Sequence, residues 1–150
     1  MTESQIKKIL APTDFSDSAR AAVDRAIDLA KTLGAEVYLL HVCPLLMYAI
    51  GPDVVPDDPD FERKLKAGLE EKLEALAAEV RDRGVPVHTL MADGNPAHEV
   101  AEVAAREGFD MVVMSTHGRS GLAHLTLGSV AERTVRHSQV PVLTVRTPED

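Results

Sequence analysis

Short apolar segments alternate along this chain with longer segments whose apolar residues recur at helical spacing. This alternation is typical of βαβ units, in which helices connect the strands of a parallel sheet. The sequence therefore predicts an α/β fold, and its 150 residues fit one domain spanning 1–150. The predicted strands are Lys8–Ala11, Val37–Val42, Val85–Met91, Met111–Met114 and Val140–Val145.

Capping residues and glycines mark the predicted helix boundaries. Pro86 weakens the third strand, which we therefore expect at an edge of the sheet. The segment Pro44–Pro59, with its prolines and aspartates, is interpreted as a long loop able to cover a site. The predicted N-caps are Ser16, Asp58, Asn95 and Ser129, followed in two cases by Pro59 or Pro96, and the predicted helix ends are Gly34, Gly84 and Gly108.

Charge and cysteine content exclude several classes of function. A formal net charge of −8 argues against nucleic acid and against an anionic membrane surface as partners. Cys43 is the single cysteine, which rules out an internal disulfide and a cysteine-rich zinc site. We expect it to be a small buried apolar side chain.

The N-terminal residues lack the basic and apolar regions of a signal peptide. No apolar run approaches the roughly 20 residues that a membrane span needs. We therefore expect a soluble cytoplasmic protein.

Two turns carry the residues suited to ligand binding. In an open parallel sheet, ligands bind at the carboxyl ends of the strands, where the strand order reverses. Pro12-Thr13-Asp14 follows the first strand, and Ser115–Gly121 follows the fourth, with Gly128-Ser129 a few residues later. These turns are the candidate site.

The second turn and the helix after it have the features of a phosphate site. Gly118, Gly121 and Gly128 lack side chains, so backbone N–H groups can approach an anion. Ser129–Glu132 matches a capping box at the positive end of a helix. Arg119 supplies charge, and the hydroxyls of Ser120 and Ser129 supply donors. The residues alone leave a second interpretation open, in which the glycines serve turn geometry and Ser129 only caps its helix.

Other nucleotide-binding motifs are absent. The chain has neither a Gly-x-x-x-x-Gly-Lys-Ser/Thr loop nor a Gly-x-Gly-x-x-Gly after its first strand. A phospho-acceptor receiver would need further acids and a lysine at its strand ends, where this chain offers only Asp14. P-loop enzymes, dinucleotide dehydrogenases and receivers are thus disfavoured.

Four segments of the sequence resemble the universal stress protein family, and together they span nearly the whole chain. They are Ile9–Ser16, Met114–Gly121, Leu127–Arg133 and Val140–Arg146. The resemblance implies a Rossmann-like open sheet of five parallel strands in the order 3-2-1-4-5, with helices on both faces.

The ATP-binding branch of that family carries Gly, two residues, Gly, nine residues, then Gly-Ser or Gly-Thr. Gly118, Gly128 and Ser129 match this pattern, whereas Ser115 stands at its first glycine. By position, the resemblance implies ATP, with Mg²⁺ bridging its phosphates. The resemblance implies that Asp14 and Val42 contact adenine, with Ala92 or Gly94 beside the base, and that Pro12 and Ser115 contact the ribose. It implies that the phosphates are held by Gly118, Gly128, Ser129 and Val130, with His117 as a neighbour.

The resemblance further implies a homodimer formed through strand 140–146 and a nucleotide-dependent regulatory role in the stress response, with a protein partner that the sequence does not name. No base for hydrolysis is evident, because Asp14 is expected at the adenine end. The alternatives are a slow ATP-hydrolysing enzyme, an interaction protein whose nucleotide only stabilises the fold or dimer, and a binder of another adenine nucleotide such as cAMP.

Overall fold

The computed structural model describes residues 5–44, 53, 58–117 and 127–147. Most of the predicted loop Pro44–Pro59 lies outside these ranges. The strands are β1 Lys8–Pro12, β2 Glu36–Cys43, β3 Val87–Asp93, β4 Met111–Ser115 and β5 Val142–Val145. The helices are α1 Asp17–Leu33, α2 Phe61–Asp82, α3 Pro96–Arg106 and α4 Ser129–His137.

The five strands form one sheet in the order β3-β2-β1-β4-β5, and every pairing is parallel. β1 is central, with Leu10 opposite Tyr38 of β2 on one side and Val112 of β4 on the other. The predicted strand order and α/β class are therefore confirmed, and β3 is an edge strand as expected.

The core consists of two layers, one on each face of the sheet. Successive side chains of a strand point to opposite faces, so Ile9 and Leu10 belong to different layers. One layer packs against α1 and α2, and the other packs against α3 and α4. β2 is buried along most of its length, as expected for a strand covered on both sides.

Two of the predicted helix starts are confirmed. The Ser16 hydroxyl accepts from Ala19 N at 3.1 Å, and the Asn95 side chain accepts from Ala97 N at 2.9 Å, with Pro96 at the first position. Gly34 ends α1 in the left-handed region at φ 68°. Such caps can be predicted from the sequence because the capping residue and its hydrogen-bond partner are close along the chain.

The other two predicted caps are wrong by one or two residues, although the prediction that Ser129 begins the last helix is confirmed. α2 begins after Asp60, because Asp58 instead forms a turn in which its Oδ1 accepts from Asp60 N at 2.9 Å. α4 is capped by Gly128, so Ser129 is its first helical residue and not its cap. The interpretation of Ser129 as a capping-box serine is thus incorrect.

Three further expectations need adjustment. β3 begins at Val87, after Pro86, whose carbonyl accepts from Val37 N at 2.9 Å. β5 is shorter than predicted and begins at Val142. Cys43 is half-buried and not a core residue.

Within the described ranges, no helix combines the length and apolarity needed to cross a membrane.

Candidate functional site

An open cleft of about 180 Å³ lies at the carboxyl ends of β1 and β4. This is where the strand order reverses, since β2 lies on one side of β1 and β4 on the other. Most of the predicted site residues meet there. Those that line the cleft are Pro12, Thr13, Asp14, Val42, Ser115, His117, Gly128, Ser129 and Val130.

The remaining predicted residues either lie outside the described residues or do not line this cleft. Gly118, Arg119, Ser120 and Gly121 lie outside the described residues. Ala92 and Gly94, at the end of β3, are not among the lining residues. Gly94 has φ 132°, and its N–H donates to the Cys43 carbonyl at 2.9 Å, so it serves the turn after β3.

The turn after β1 is held by several local hydrogen bonds. Thr13 N donates to the Leu40 carbonyl at 2.8 Å, which attaches the turn to β2. The Thr13 hydroxyl accepts from Phe15 N, and the Asp14 Oδ1 accepts from Ser16 N, each at 3.0 Å. Asp14 therefore acts as a turn former, and it also lines the cleft.

The turn after β4 is organised by the residues just before the undescribed segment. The Ser115 hydroxyl donates to the His117 carbonyl at 2.8 Å. Thr116 N donates to the Val145 carbonyl at 3.1 Å, and the Thr116 hydroxyl lies 3.1 Å from His117 Nδ1. Thr116 and His117 are both buried. Ser115 thus fixes the start of this turn through a hydroxyl that glycine would lack.

Gly128 is held against the same turn. Its N–H donates to the Thr116 carbonyl at 2.7 Å, so this N–H is engaged within the protein. A Cβ at Gly128 would lie 2.8 Å from that carbonyl oxygen and 3.3 Å from His117 Cα. The glycine is therefore required by close backbone packing, and the prediction that its own N–H faces an anion needs correction.

The four described helices begin at this edge of the sheet, and their caps differ. Asp60, the cap of α2, makes no side-chain capping hydrogen bond and does not line the cleft. Side chains cap α1 and α3, through Ser16 and Asn95. α4 has the glycine cap Gly128, which offers no side chain to its first N–H groups. The first residues of α4, Ser129 and Val130, line the cleft, so a helix start without a side-chain cap faces the open space.

The comparison with known families agrees with this geometry. Residues 5–146 match the family model described as the Universal stress protein family. The chain belongs to this family.

Individual members of the universal stress protein family are similar over almost the whole chain. Universal stress protein MJ0531 of Methanocaldococcus jannaschii is 37% identical over 150 residues, covering 98% of this chain and 86% of that protein. Universal stress protein MJ0577 of the same organism is 36% identical, covering 93% of this chain and 94% of that protein.

Solved structures support the same assignment. The structure of MJ0577 superposes with a TM-score of 0.83 at 32% identity, covering 97% of this chain and 99% of that one. A universal stress protein solved in complex with cAMP has a TM-score of 0.71 at 24% identity, covering 95% and 98%. At that identity the second likeness establishes the shared fold only.

Sequence reasoning missed several residues of this universal stress protein cleft. His41 lines it although it is buried, and Pro96 and Val100 contribute an apolar wall from α3. A histidine within an apolar strand was a signal for His41. Pro96 and Val100 carried no such signal, because their position depends on how α3 packs across the sheet.

The described residues that line the cleft include few candidate metal ligands. Among the described residues, no group of three or more histidine, cysteine or acidic side chains could hold a metal ion. Mg²⁺ does not require such a group, because it usually keeps several waters and is held by one or two carboxylates together with the phosphates of a ligand.

Proposed function

We propose that this universal stress protein binds an adenine nucleotide, ATP with Mg²⁺, in the cleft between β1 and β4. We further propose that it acts as a dimeric, nucleotide-dependent regulatory module in the cytoplasm. The observation that carries the proposal is the N-terminus of α4. It opens into the cleft behind a glycine cap, whereas α1 and α3 are capped by side chains and the start of α2, which also lacks a side-chain cap, does not line the cleft.

The phosphates are assigned to the first turn of α4. The N–H groups at a helix start and the positive end of the helix dipole favour an anion. Ser129 adds an exposed hydroxyl at the first position, and Gly128 allows the helix to begin close to the β4 turn. Mg²⁺ would enter with the nucleotide and offset part of the phosphate charge, and the Ser129 hydroxyl is a candidate oxygen ligand for it.

The base and ribose are assigned to the lining residues contributed by β1 and the turn after it, β2, β4 and α3. Val42, Pro96 and Val100 provide apolar surface, and the Asp14 turn provides a carboxylate beside it. An apolar slot with a few fixed polar groups is the usual form of a small-molecule site. Pro12 and Ser115 also line the cleft and are assigned to the ribose.

A second candidate ligand is cAMP, because a universal stress protein of the same fold has been solved in complex with it. cAMP carries one phosphate group, so it would use the first turn of α4 less fully than ATP. Titrations with ATP, with and without Mg²⁺, and with cAMP therefore separate the two candidates. ATP is expected to bind more tightly, and tighter binding of cAMP would reverse the assignment.

Ser129→Pro is the variant that tests the phosphate assignment. Proline is favoured at the first helical position, and Gly128, at φ −61° and ψ 157°, has the extended backbone that must precede it. The substitution removes one N–H from the start of α4 without breaking the helix. Loss of one hydrogen bond to a charged phosphate should weaken ATP binding roughly tenfold or more.

The matched control is Ser129→Ala, which removes only the hydroxyl and should weaken binding less than Ser129→Pro. Isothermal titration of both variants measures the difference. Equal affinity of Ser129→Pro and the unaltered protein would remove the phosphate assignment. A phosphate-release assay on the same samples separates a binding module, for which we expect no turnover, from a slow ATP-hydrolysing enzyme.

A further inference from the structure

His41 is a polar residue at a position where the core pattern calls for an apolar one. Val37, Leu39 and His41 share one face of β2, and the first two are fully buried in the layer under α1 and α2. His41 continues this row at the carboxyl end of the strand, is 8% exposed, and lines the cleft. Burying an imidazole is unfavourable unless it is hydrogen-bonded.

The hydrogen bond of His41 reaches the turn after β1. Its Nδ1 lies 2.8 Å from the carbonyl oxygen of Thr13, 28 positions away in sequence. A carbonyl oxygen only accepts, so Nδ1 is the donor and carries a hydrogen. In the neutral ring this fixes the tautomer, with Nε2 as the unprotonated nitrogen.

His41 also contacts the far side of the same turn. Its ring centroid lies 4.7 Å from that of Phe15, at an interplanar angle of 37°. Phe15 has φ 65° and is the one described residue other than glycine with a positive φ. A bulky side chain rarely adopts this left-handed conformation, and such strain persists where the surroundings hold it in place.

The two contacts of His41 lie on either side of Asp14. One holds the carbonyl of Thr13, which precedes Asp14, and the other packs on the ring of Phe15, which follows it. The Asp14 Oδ1 accepts from Ser16 N at 3.0 Å, so the direction of the carboxylate depends on the backbone of this turn.

We infer that His41 is a positioning residue of the nucleotide site, which holds the Thr13–Phe15 turn so that Asp14 faces the base. This inference rests on the proposed nucleotide function and adds to it a residue that acts without touching the phosphates. A purely structural histidine would affect folding but would not affect ATP and a base-free ligand differently.

The test compares His41→Asn with His41→Leu, two substitutions whose side chains have the same number of non-hydrogen atoms and the same branching. The asparagine amide can donate from close to the position of Nδ1, whereas leucine cannot donate. Each folded variant is titrated with ATP and with inorganic tripolyphosphate, which has no base. We expect His41→Leu to weaken ATP binding about tenfold relative to the unaltered protein, the change that the loss of one hydrogen bond accounts for. The ATP affinity of His41→Asn should stay within about threefold of the unaltered protein. Binding of tripolyphosphate should be the same in both.

Equal ATP affinity of the unaltered protein and His41→Leu would overturn the inference, as would equal weakening of both ligands. If His41→Leu does not fold, His41→Asn decides alone, since a loss of ATP affinity beyond about tenfold excludes a role through this hydrogen bond. Failure of the unaltered protein to bind either ATP or tripolyphosphate would instead overturn the proposed function, so the two failures are distinct.

Discussion

Gly128 is a residue whose identity is set by the backbone around it. Its Cα lies so close to the β4 turn that a Cβ would approach the Thr116 carbonyl oxygen to 2.8 Å. That atom is part of the main chain and also accepts from Gly128 N, so it cannot move aside easily. Replacing Gly128 would disturb the fold as well as the ligand, which makes it unsuitable as a test of binding alone.

Gly128→Ala should therefore destabilise the protein by about 1–3 kcal/mol, the usual cost of overpacking. Gly68→Ala is the matched control, because Gly68 lies inside α2 with nothing within 4 Å of its Cβ position. In an exposed helix this same change should stabilise by about 1 kcal/mol. Urea denaturation measures both, and a shift of the same sign in the two variants would contradict the steric account.

Cys43 allows a second prediction for a single side chain. Burial raises the pKa of its thiol, the nearby Asp93 carboxylate raises it further, and Lys66 partly opposes this. A raised pKa means less thiolate at a given pH, so the native thiol should react with iodoacetamide more slowly at pH 8 than the urea-unfolded thiol. The rate measured against pH should have its midpoint above that of the unfolded chain, and Asp93→Asn should lower it. An identical midpoint in native and unfolded protein would contradict this.

At the scale of secondary-structure elements, helices that begin at the same edge of the sheet begin in different ways. In α1 and α3 one N–H of the first turn donates to a capping side chain, Ser16 or Asn95, close to it in sequence. α4 instead begins at Gly128, which hydrogen-bonds across to the end of β4. Ser16 and Ser129 both stand at a predicted helix start, but only Ser16 is a cap in the structure.

Ser16→Ala should destabilise the protein by about 1 kcal/mol, the typical cost of losing a capping side chain. Ser129→Ala should change stability by less than about 0.5 kcal/mol, because Ser129 is not the cap of α4 and is exposed. Denaturant midpoints of the two variants provide the comparison. An equal loss in both would restore the capping-box interpretation of Ser129.

The sequence predicted those features that depend on local pattern. Apolar spacing located the strands and helices, and the turns after β1 and β4 were correctly expected at one edge of the sheet. The contacts of His41 with Thr13 and of Gly128 with Thr116 were not predicted. Both join residues far apart in the chain, and their geometry is decided by packing of whole elements.

At the scale of the whole molecule, the two edges of the sheet are β3 and β5. An edge strand exposes unpaired backbone groups on which another copy can pair. β5 carries Leu143 at 37% exposure, and Val135 of the adjacent α4 is 49% exposed. Exposed apolar side chains beside an edge strand are what a dimer through strand 140–146 requires, and this dimer remains a prediction.

Leu143→Asp should shift the protein from dimer to monomer in sedimentation velocity experiments, because it places a charge at the predicted interface. Leu65→Asp is the control, since Leu65 is a comparably exposed leucine, at 45%, on the remote helix α2. It should leave the dimer intact. A monomeric unaltered protein, or a Leu143→Asp variant that remains dimeric, would contradict an interface at β5.

The backbone of Thr116 connects the two regions to which ligand binding and association are assigned. Its N–H donates to the carbonyl of Val145 at the end of β5, and its carbonyl accepts from Gly128 at the start of α4. If occupancy of the cleft shifts Gly128, the displacement reaches β5 through one residue. Thermodynamic linkage then requires reciprocity: whatever factor ATP applies to the dimerisation constant, dimerisation applies to the affinity for ATP. Apparent nucleotide affinity would accordingly vary with protein concentration, so occupancy of the cleft would depend on cellular abundance of the protein as well as on ATP.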